Sequence, residues 1–450
     1  MTIPDEDFSI PDDDRPMHIY MPGMTRYGKT TLLFWMAWQD ICQDKGVCVM
    51  DAKGGLIDKL LKAIPPWRKD HVIALDLDMP VPLDFMGYRG EAEKRQVIGE
   101  LKYLLLHTVE TAHLPTIGAN LTDVLYTLFN YNENPKTPDY CRATFLDIEY
   151  FLTDETRREQ IKSRVTDKEL LSRWENRWPD KQDISRLLTR MNPFIRSQSL
   201  KKIFGAKNPN LNIEREINNK SVILVNLAPM DEIQQMYGTL LLSKIRQAVY
   251  RRDPDSEITP FYLYCDEFQE FQTSDFARML SMAGGLGLCL CLSHQYLFQL
   301  DPAILHSIRG NVSTFCLFRL GPEDAPSFGS QIPPMEKKKV WTRSPQTELM
   351  EWVERDVPFD TGLLTRIPRG QVLFKPPNGP ANFVPTPAPP IPPEDNYAEY
   401  IRNRTKDLYS CGTPQVCVTK DDGHSGPKSD EIGAGAAPNV PPHQGKKKNS

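Results

Sequence analysis

The chain is predicted to fold as an α/β protein: a mostly parallel sheet with helices on both faces, interrupted by an all-α insertion. Three observations carry that reading. Near-continuous apolar runs alternate with helical segments, as strands buried on both faces do. A phosphate-loop pattern lies between the first such run and a helix. From residue 88 to residue 215 the apolar spacing becomes helical.

The first strand is Met17 to Met21, a short apolar run. Gly23, Met24, Thr25, Arg26, Tyr27, Gly28, Lys29 and Thr30 follow and fit G-x-x-x-x-G-K-S/T. Thr31 to Trp38 then reads as an apolar helix. In that context the glycines let backbone N–H groups close around a triphosphate, and the helix N-terminus adds positive partial charge. Residues Gly23 through Thr31 are therefore the expected nucleotide-binding set. Lys29 is expected to reach the β- and γ-phosphates, and the Thr30 hydroxyl to ligate Mg²⁺.

The second strand, Val47 to Asp51, ends in an acid and runs into Ala52, Lys53 and Gly54. His71 to Asp76 is the third. In the insertion, Val97, Ile98, Leu101, Leu104 and Leu105 share one helix face, and Leu121, Val124, Leu125, Leu128 and Phe129 share another. Its second half, Glu155 to Lys202, holds 13 Lys/Arg against 7 Asp/Glu, a local charge of +6. Such a stretch suits contact with a phosphate backbone, and equally a solvated helix face.

Ser221 to Leu227 returns the chain to the sheet. Phe261 to Cys265 is a buried strand with Asp266 and Glu267 at its C-terminal end, the edge where ligands of open α/β sheets bind. Asp266 is assigned to the Mg²⁺ shell and Glu267 to the attacking water. Leu288 to Leu292 leads to Gln295, suited to sensing the γ-phosphate, and Ser313 to Phe318 leads to Arg319. Gly370 to Phe374 is a last strand.

Length and composition bound the rest. At 450 residues the chain exceeds one ordinary domain. The expected division is a disordered acidic N-terminus over 1–15, a core over 16–87 and 216–375, the insertion over 88–215, and a Pro-rich strap with a disordered tail over 376–450. Pro376 to Pro393 holds nine prolines in eighteen residues. The lysines Lys446, Lys447 and Lys448 close the tail. A net charge of −5 excludes a chain that binds nucleic acid by bulk electrostatics, so any DNA contact is local. No run of 18 apolar residues exists, which gives no membrane span. The acidic start (Asp5, Glu6, Asp7) does not fit a signal peptide. Nine cysteines without a C-x-x-C pair read as reduced thiols of a cytoplasmic protein.

Taken in order, these motifs resemble the FtsK–HerA superfamily of P-loop ATPases. The chain is most similar to soluble relatives of the conjugative type IV secretion coupling proteins, the TraD/TraG-like group. Val49 to Leu56 resembles that family's D-P-K-G-D-L element, and Val81 to Phe85 its N-P-L turn. Arg173, Trp174 and Glu175 fall where relatives carry an aromatic-rich helix. Asp266 to Phe271 matches the Walker B box, and Ser293, His294 and Gln295 the strand-end glutamine. Gly310 to Val312, Phe318 to Gly321, and Asp324 with Ala325 match a late motif.

The resemblance implies a RecA-like core, ATP and Mg²⁺ as ligands, a homo-hexameric ring, DNA as cargo, and relaxosome or secretion-channel proteins as partners. Nucleotide would lie between subunits, with an arginine reaching across. Where relatives carry G-R-K, this chain reads Ser281 to Gly287 with no arginine. Arg319, then Arg309, then Arg278 are the expected substitutes. The expected function is an ATP-hydrolysing, DNA-moving ring in conjugation or a related mobile-element process. The alternatives are a nucleotide-regulated DNA-binding scaffold with little hydrolysis and, less compatible with the insertion, a small-molecule kinase.

Overall fold

The computed structural model describes residues 10–107, 115–271, 274–343, 350–388 and 395–410. Asp5, Glu6 and Asp7, the end of the proline stretch, and Lys446 to Lys448 lie outside the described residues.

β1 (Ile19–Pro22) leads into α1 (Lys29–Cys42), β2 (Gly46–Asp51), α2 (Gly55–Ala63) and β3 (Val72–Asp76). The insertion is helical among the described residues: α3 (Gly90–His107), α4 (Pro115–Glu133), α5 (Asp147–Thr153), α6 (Glu155–Lys162), α7 (Lys168–Asn176), α8 (Lys181–Arg196), α9 (Gln198–Gly205) and α10 (Ile213–Asn218). Then come β4 (Val222–Asn226), α11 (Glu232–Tyr250), β5 (Phe261–Asp266), α12 (Ser274–Met282), β6 (Leu288–His294), α13 (Pro302–Asn311) and β7 (Thr314–Leu317). The chain closes with β8 (Glu336–Arg343), β9 (Met350–Val357), β10 (Gln371–Lys375), β11 (Asn382–Pro385) and α14 (Ala398–Tyr409).

Nine strands form one sheet in the order β11-β10-β7-β1-β6-β5-β2-β4-β3. The seven from β7 to β3 run parallel, and β10 and β11 are antiparallel. Each strand expected from an apolar run is present. β2, β5 and β6 are buried at every position, which is why their sequences do not alternate. On one face of the sheet, Leu32, Trp35 and Ile41 of α1 share a core with Leu56, Ile57 and Leu60 of α2.

The opposite face of the sheet and the insertion share one continuous apolar core. Leu104, Leu125, Phe145 and Phe194 of the insertion belong to the same cluster as Leu241 and Leu263. Trp174 is buried there and donates its ring N–H to Thr127 Oγ1 at 2.8 Å. Among the described residues no helix is long and apolar enough to cross a membrane.

Three segments depart from the sequence expectation. Against the disorder expected over 1–15, Asp12–Met17 is a 3-10 turn, and Arg15 is buried against Asp40 Oδ2 at 2.8 Å and the Tyr264 hydroxyl at 2.5 Å. Its acidic neighbours hide this anchoring residue in the sequence. The strap expected after residue 376 contains β11, paired to β10, and is followed by α14, which packs on α2 and β3. Thr405 Oγ1 accepts from the Ala74 N–H at 3.1 Å, so α14 covers part of the sheet edge at β3. Finally, β8 and β9 form a separate two-stranded sheet. Cys48, Cys141, Cys265, Cys289, Cys291 and Cys316 are buried and form no disulfide.

Candidate nucleotide site

Four neighbouring strands, β1, β6, β5 and β2, bring their C-terminal ends to one edge of the sheet. Register aligns them: Met21 lies beside Ser293, Ser293 beside Asp266, and Asp266 beside Asp51. The loop from Gly23 to Gly28 leaves β1 at this edge and enters α1.

Glycine is required at two points of that loop. Gly23 has φ +153°, and a Cβ there would stand 2.5 Å from Phe318 Cβ. Gly28, at φ +115°, is the N-cap of α1. Lys29 is buried, and its ammonium donates to Gly23 O at 2.5 Å and Met24 O at 3.2 Å. Burial lowers its pKa, opposed by Glu267 and Asp266, while Lys53 lowers it further. The loop thus holds its own lysine on two carbonyls, partners that a phosphate would replace.

Thr30 donates its hydroxyl hydrogen to Asp266 Oδ2 at 2.9 Å, and Ser293 donates to Asp266 Oδ1 at 2.8 Å. Asp266 is buried. Burial raises its pKa, Glu267 and Asp51 add to the rise, and the two hydroxyl bonds oppose it. A threonine hydroxyl and a carboxylate converging beside the phosphate loop fit Mg²⁺, which keeps few protein ligands and takes the rest from phosphate and water. No cluster of three His, Cys, Asp or Glu side chains placed to hold a metal occurs among the described residues.

Glu267 follows β5 in a left-handed conformation, φ +53°. Its Oε1 accepts from Gln295 Nε2 at 2.7 Å and from Lys53, and its Oε2 accepts from Gln269 Nε2 at 2.9 Å. Burial raises the pKa of Glu267, but the bonds from Lys53, Gln295 and Gln269 outweigh it and leave the group below its ordinary value.

Of the residues singled out in the sequence, Lys29, Thr30, Asp266, Glu267 and Gln295 converge at this edge. Arg319 is half-buried and donates to the hydroxyl of Tyr27 at 2.8 Å, within its own chain's phosphate loop. Its carbonyl accepts from Met24 N–H at 2.8 Å. Arg278 and Arg309 are exposed, on the packed pair α12 and α13. Sequence reasoning assigns no role to Lys53, Gln269 or Ser293. The adjacency of β2, β5 and β6 brings Lys53 and Ser293 to the two acids, whereas Gln269 reaches Glu267 from two residues along the same turn.

His294 is buried between sheet and turn. Burial lowers its pKa to about 3, opposed by its bond to the Tyr296 carbonyl and by Glu267, so it is neutral near pH 7. A separate cavity of about 630 Å³ lies where Asp84 to Arg89 meets Asn208 to Glu214, with Lys244 and Arg251 in its wall; it contains no phosphate-loop residue.

The sequence matches no family model and no curated protein. Solved structures do match in fold. The bacterial conjugative coupling protein TrwB, lacking its first 70 residues, is 14% identical, with a TM-score of 0.57 over 85% of this chain and 88% of that one. TrwB with the ATP analogue ADPNP gives 13% identity and a TM-score of 0.58 over 87% and 91%. VirB4 of Thermoanaerobacter pseudethanolicus gives 12% identity and a TM-score of 0.52 over 83% and 90%. The chain therefore has the fold that the motif resemblance implied.

Proposed function

We propose that this chain is a cytoplasmic, Mg²⁺-dependent ATPase that assembles as a homo-hexameric ring and moves DNA in conjugation or a related mobile-element process. The reading rests on one arrangement: the phosphate loop, the Asp266–Glu267 pair and Gln295 lie at the ends of adjacent strands, linked by direct hydrogen bonds. TrwB, which shares this fold, is solved in complex with ADP and Mg²⁺ and with ADPNP, which supports a nucleotide and Mg²⁺ as ligands here.

In this reading Lys29 leaves the Gly23 and Met24 carbonyls for the β- and γ-phosphates. Bound Mg²⁺ would supply charge neutralisation of the phosphates, held by Thr30 and Asp266. Gln295 and Glu267 orient a water. Its oxygen bonds to the γ-phosphorus, the bond from that phosphorus to the bridging oxygen breaks, and ADP departs with the electron pair. The water's proton passes by way of Glu267 to the released phosphate.

A neighbour's arginine would complete each site. The sequence ranks Arg319 first. Its bond to Tyr27 favours a role in its own subunit, so we rank exposed Arg309 and Arg278 ahead for reaching across. Relaxosome or secretion-channel proteins are the proposed partners.

The turn from Ser281 to Gly287, without an arginine, favours the second reading, a DNA-binding scaffold with little hydrolysis. ATP turnover measured with and without DNA separates the two. The motor predicts DNA-stimulated turnover that Lys29→Ala abolishes. Tight ATP binding with no turnover at any DNA concentration supports the scaffold instead.

A further inference from the structure

The ion pair between Lys53 and Glu267 has no place in the hydrolysis scheme above. It joins the turn after β2 to the turn after β5, 214 residues apart. The backbone of Lys53 is held in place. Its N–H donates to Asp51 Oδ1 at 2.8 Å, and Asp51 Oδ2 accepts from Leu56 N–H at 2.7 Å, at the start of α2. Gly54 follows at φ +80°, where a Cβ would stand 2.8 Å from Ala228 Cβ. The Lys53 side chain, by contrast, is 53% exposed, whereas that of Glu267 is 4% exposed.

Each carboxylate oxygen offers about two lone pairs. Glu267 Oε1 receives both Lys53 and Gln295, and Oε2 receives Gln269. The oxygen facing Gln295 therefore has no acceptor site left for water, and a cation on it reduces its pull on a proton. A Glu267 held in this way is poorly prepared to activate water.

Lys53 also lies close enough to Lys29 for the two ammonium groups to oppose each other. Three carboxylates, Asp266, Glu267 and Asp51, surround these two cations. A γ-phosphate adds anionic oxygens beside both lysines. Both the lysine–carboxylate and the lysine–phosphate contact are charge-assisted hydrogen bonds, but a γ-phosphate carries more negative charge and more acceptor oxygens than the single Glu267 carboxylate, and the half-exposed Lys53 side chain is free to swing to it. Exchange of partner is the favoured outcome.

We infer that Lys53 is a γ-phosphate-responsive cation: it occupies Glu267 until a triphosphate binds, then moves to the γ-phosphate and frees Glu267 to accept from water. This rests on the nucleotide site proposed above and adds to it a residue that discriminates ATP from ADP.

The test is calorimetric binding of Mg²⁺–ADP and of a non-hydrolysable Mg²⁺–ATP analogue to the full chain, as wild type, Lys53→Met and Lys53→Arg. The expected result is that Lys53→Met weakens the analogue about tenfold and leaves ADP unchanged, while Lys53→Arg recovers much of the difference. A merely structural role would weaken both nucleotides together. An unchanged analogue-to-ADP ratio, or an equal loss of both, overturns the inference while leaving the nucleotide site standing. Failure of the wild type to bind either nucleotide overturns the site itself and the inference with it.

Discussion

Thr30 and Asp266, 236 residues apart, are joined by a hydrogen bond of 2.9 Å from the threonine hydroxyl to Oδ2. It ties the phosphate loop to the acid-bearing strand, although β6 lies between β1 and β5. The same carboxylate is buried, and its charge is disfavoured by burial, Glu267 and Asp51 and favoured by the hydroxyls of Thr30 and Ser293.

That arrangement sets function against stability at Asp266. Its pKa is raised, first by burial, so the folded protein holds this proton more tightly than the unfolded chain does. Ionised Asp266 therefore costs stability near pH 7; the cost fades as pH falls through the raised folded-state value and is gone below the ordinary aspartate value of about 4. Asp266→Asn should raise Tm by about 2 °C at pH 7 and lose that advantage in acid. The same variant should lose the thermal upshift that Mg²⁺–ADP gives the wild type. A lower Tm at pH 7 would contradict the desolvation argument.

Arg15 is expected to matter more than its acidic surroundings suggest. Arg15→Ala removes the guanidinium from buried Asp40, which keeps Lys45 at 3.2 Å, and removes a donor to the hydroxyl of Tyr264. Loss of a hydrogen bond to a charged group costs about 2 kcal/mol. Urea denaturation should report a loss of that order. A change under about 0.5 kcal/mol, the usual size for a surface substitution, would return residues 10–17 to the status of a loose tail.

The basic half of the insertion is less uniform than its +6 charge suggests. Arg190 is buried, Arg157 pairs with Asp147 at 2.7 Å, and Arg173 pairs with Asp123 at 2.7 Å. Arg196 is exposed and Arg186 partly so. Reversing Arg186 and Arg196 to Glu should weaken DNA binding and lower the salt slope by about two. Unchanged affinity and slope would mark the face as solvated surface.

Much of the fold is legible in the sequence because buried parallel strands are written as apolar runs. Val47 to Asp51, Phe261 to Asp266 and Leu288 to His294 need no tertiary information to be found. The phosphate loop is legible for a related reason: its chemistry is contiguous. Lys53 and Ser293 are not, because their partners come from strands brought together only by the sheet order. Asp12 to Arg15 reads as disordered because composition records its acids and not the burial of Arg15. α14 is hidden because the proline-rich stretch before it suggests an unstructured tail, whereas Ile401 and Thr405 are buried against the core.

Whether the Gly23–Thr30 loop, Asp266 and Glu267 hydrolyse ATP is decided by phosphate release from Mg²⁺–ATP, with binding measured in parallel, for wild type and Glu267→Gln. The wild type should release phosphate, and Glu267→Gln should bind ATP as well while releasing phosphate at least about 100-fold more slowly. Equal phosphate release by the two proteins, or loss of binding and turnover together in the variant, would contradict the role assigned to Glu267 and the hydrolytic account built on it.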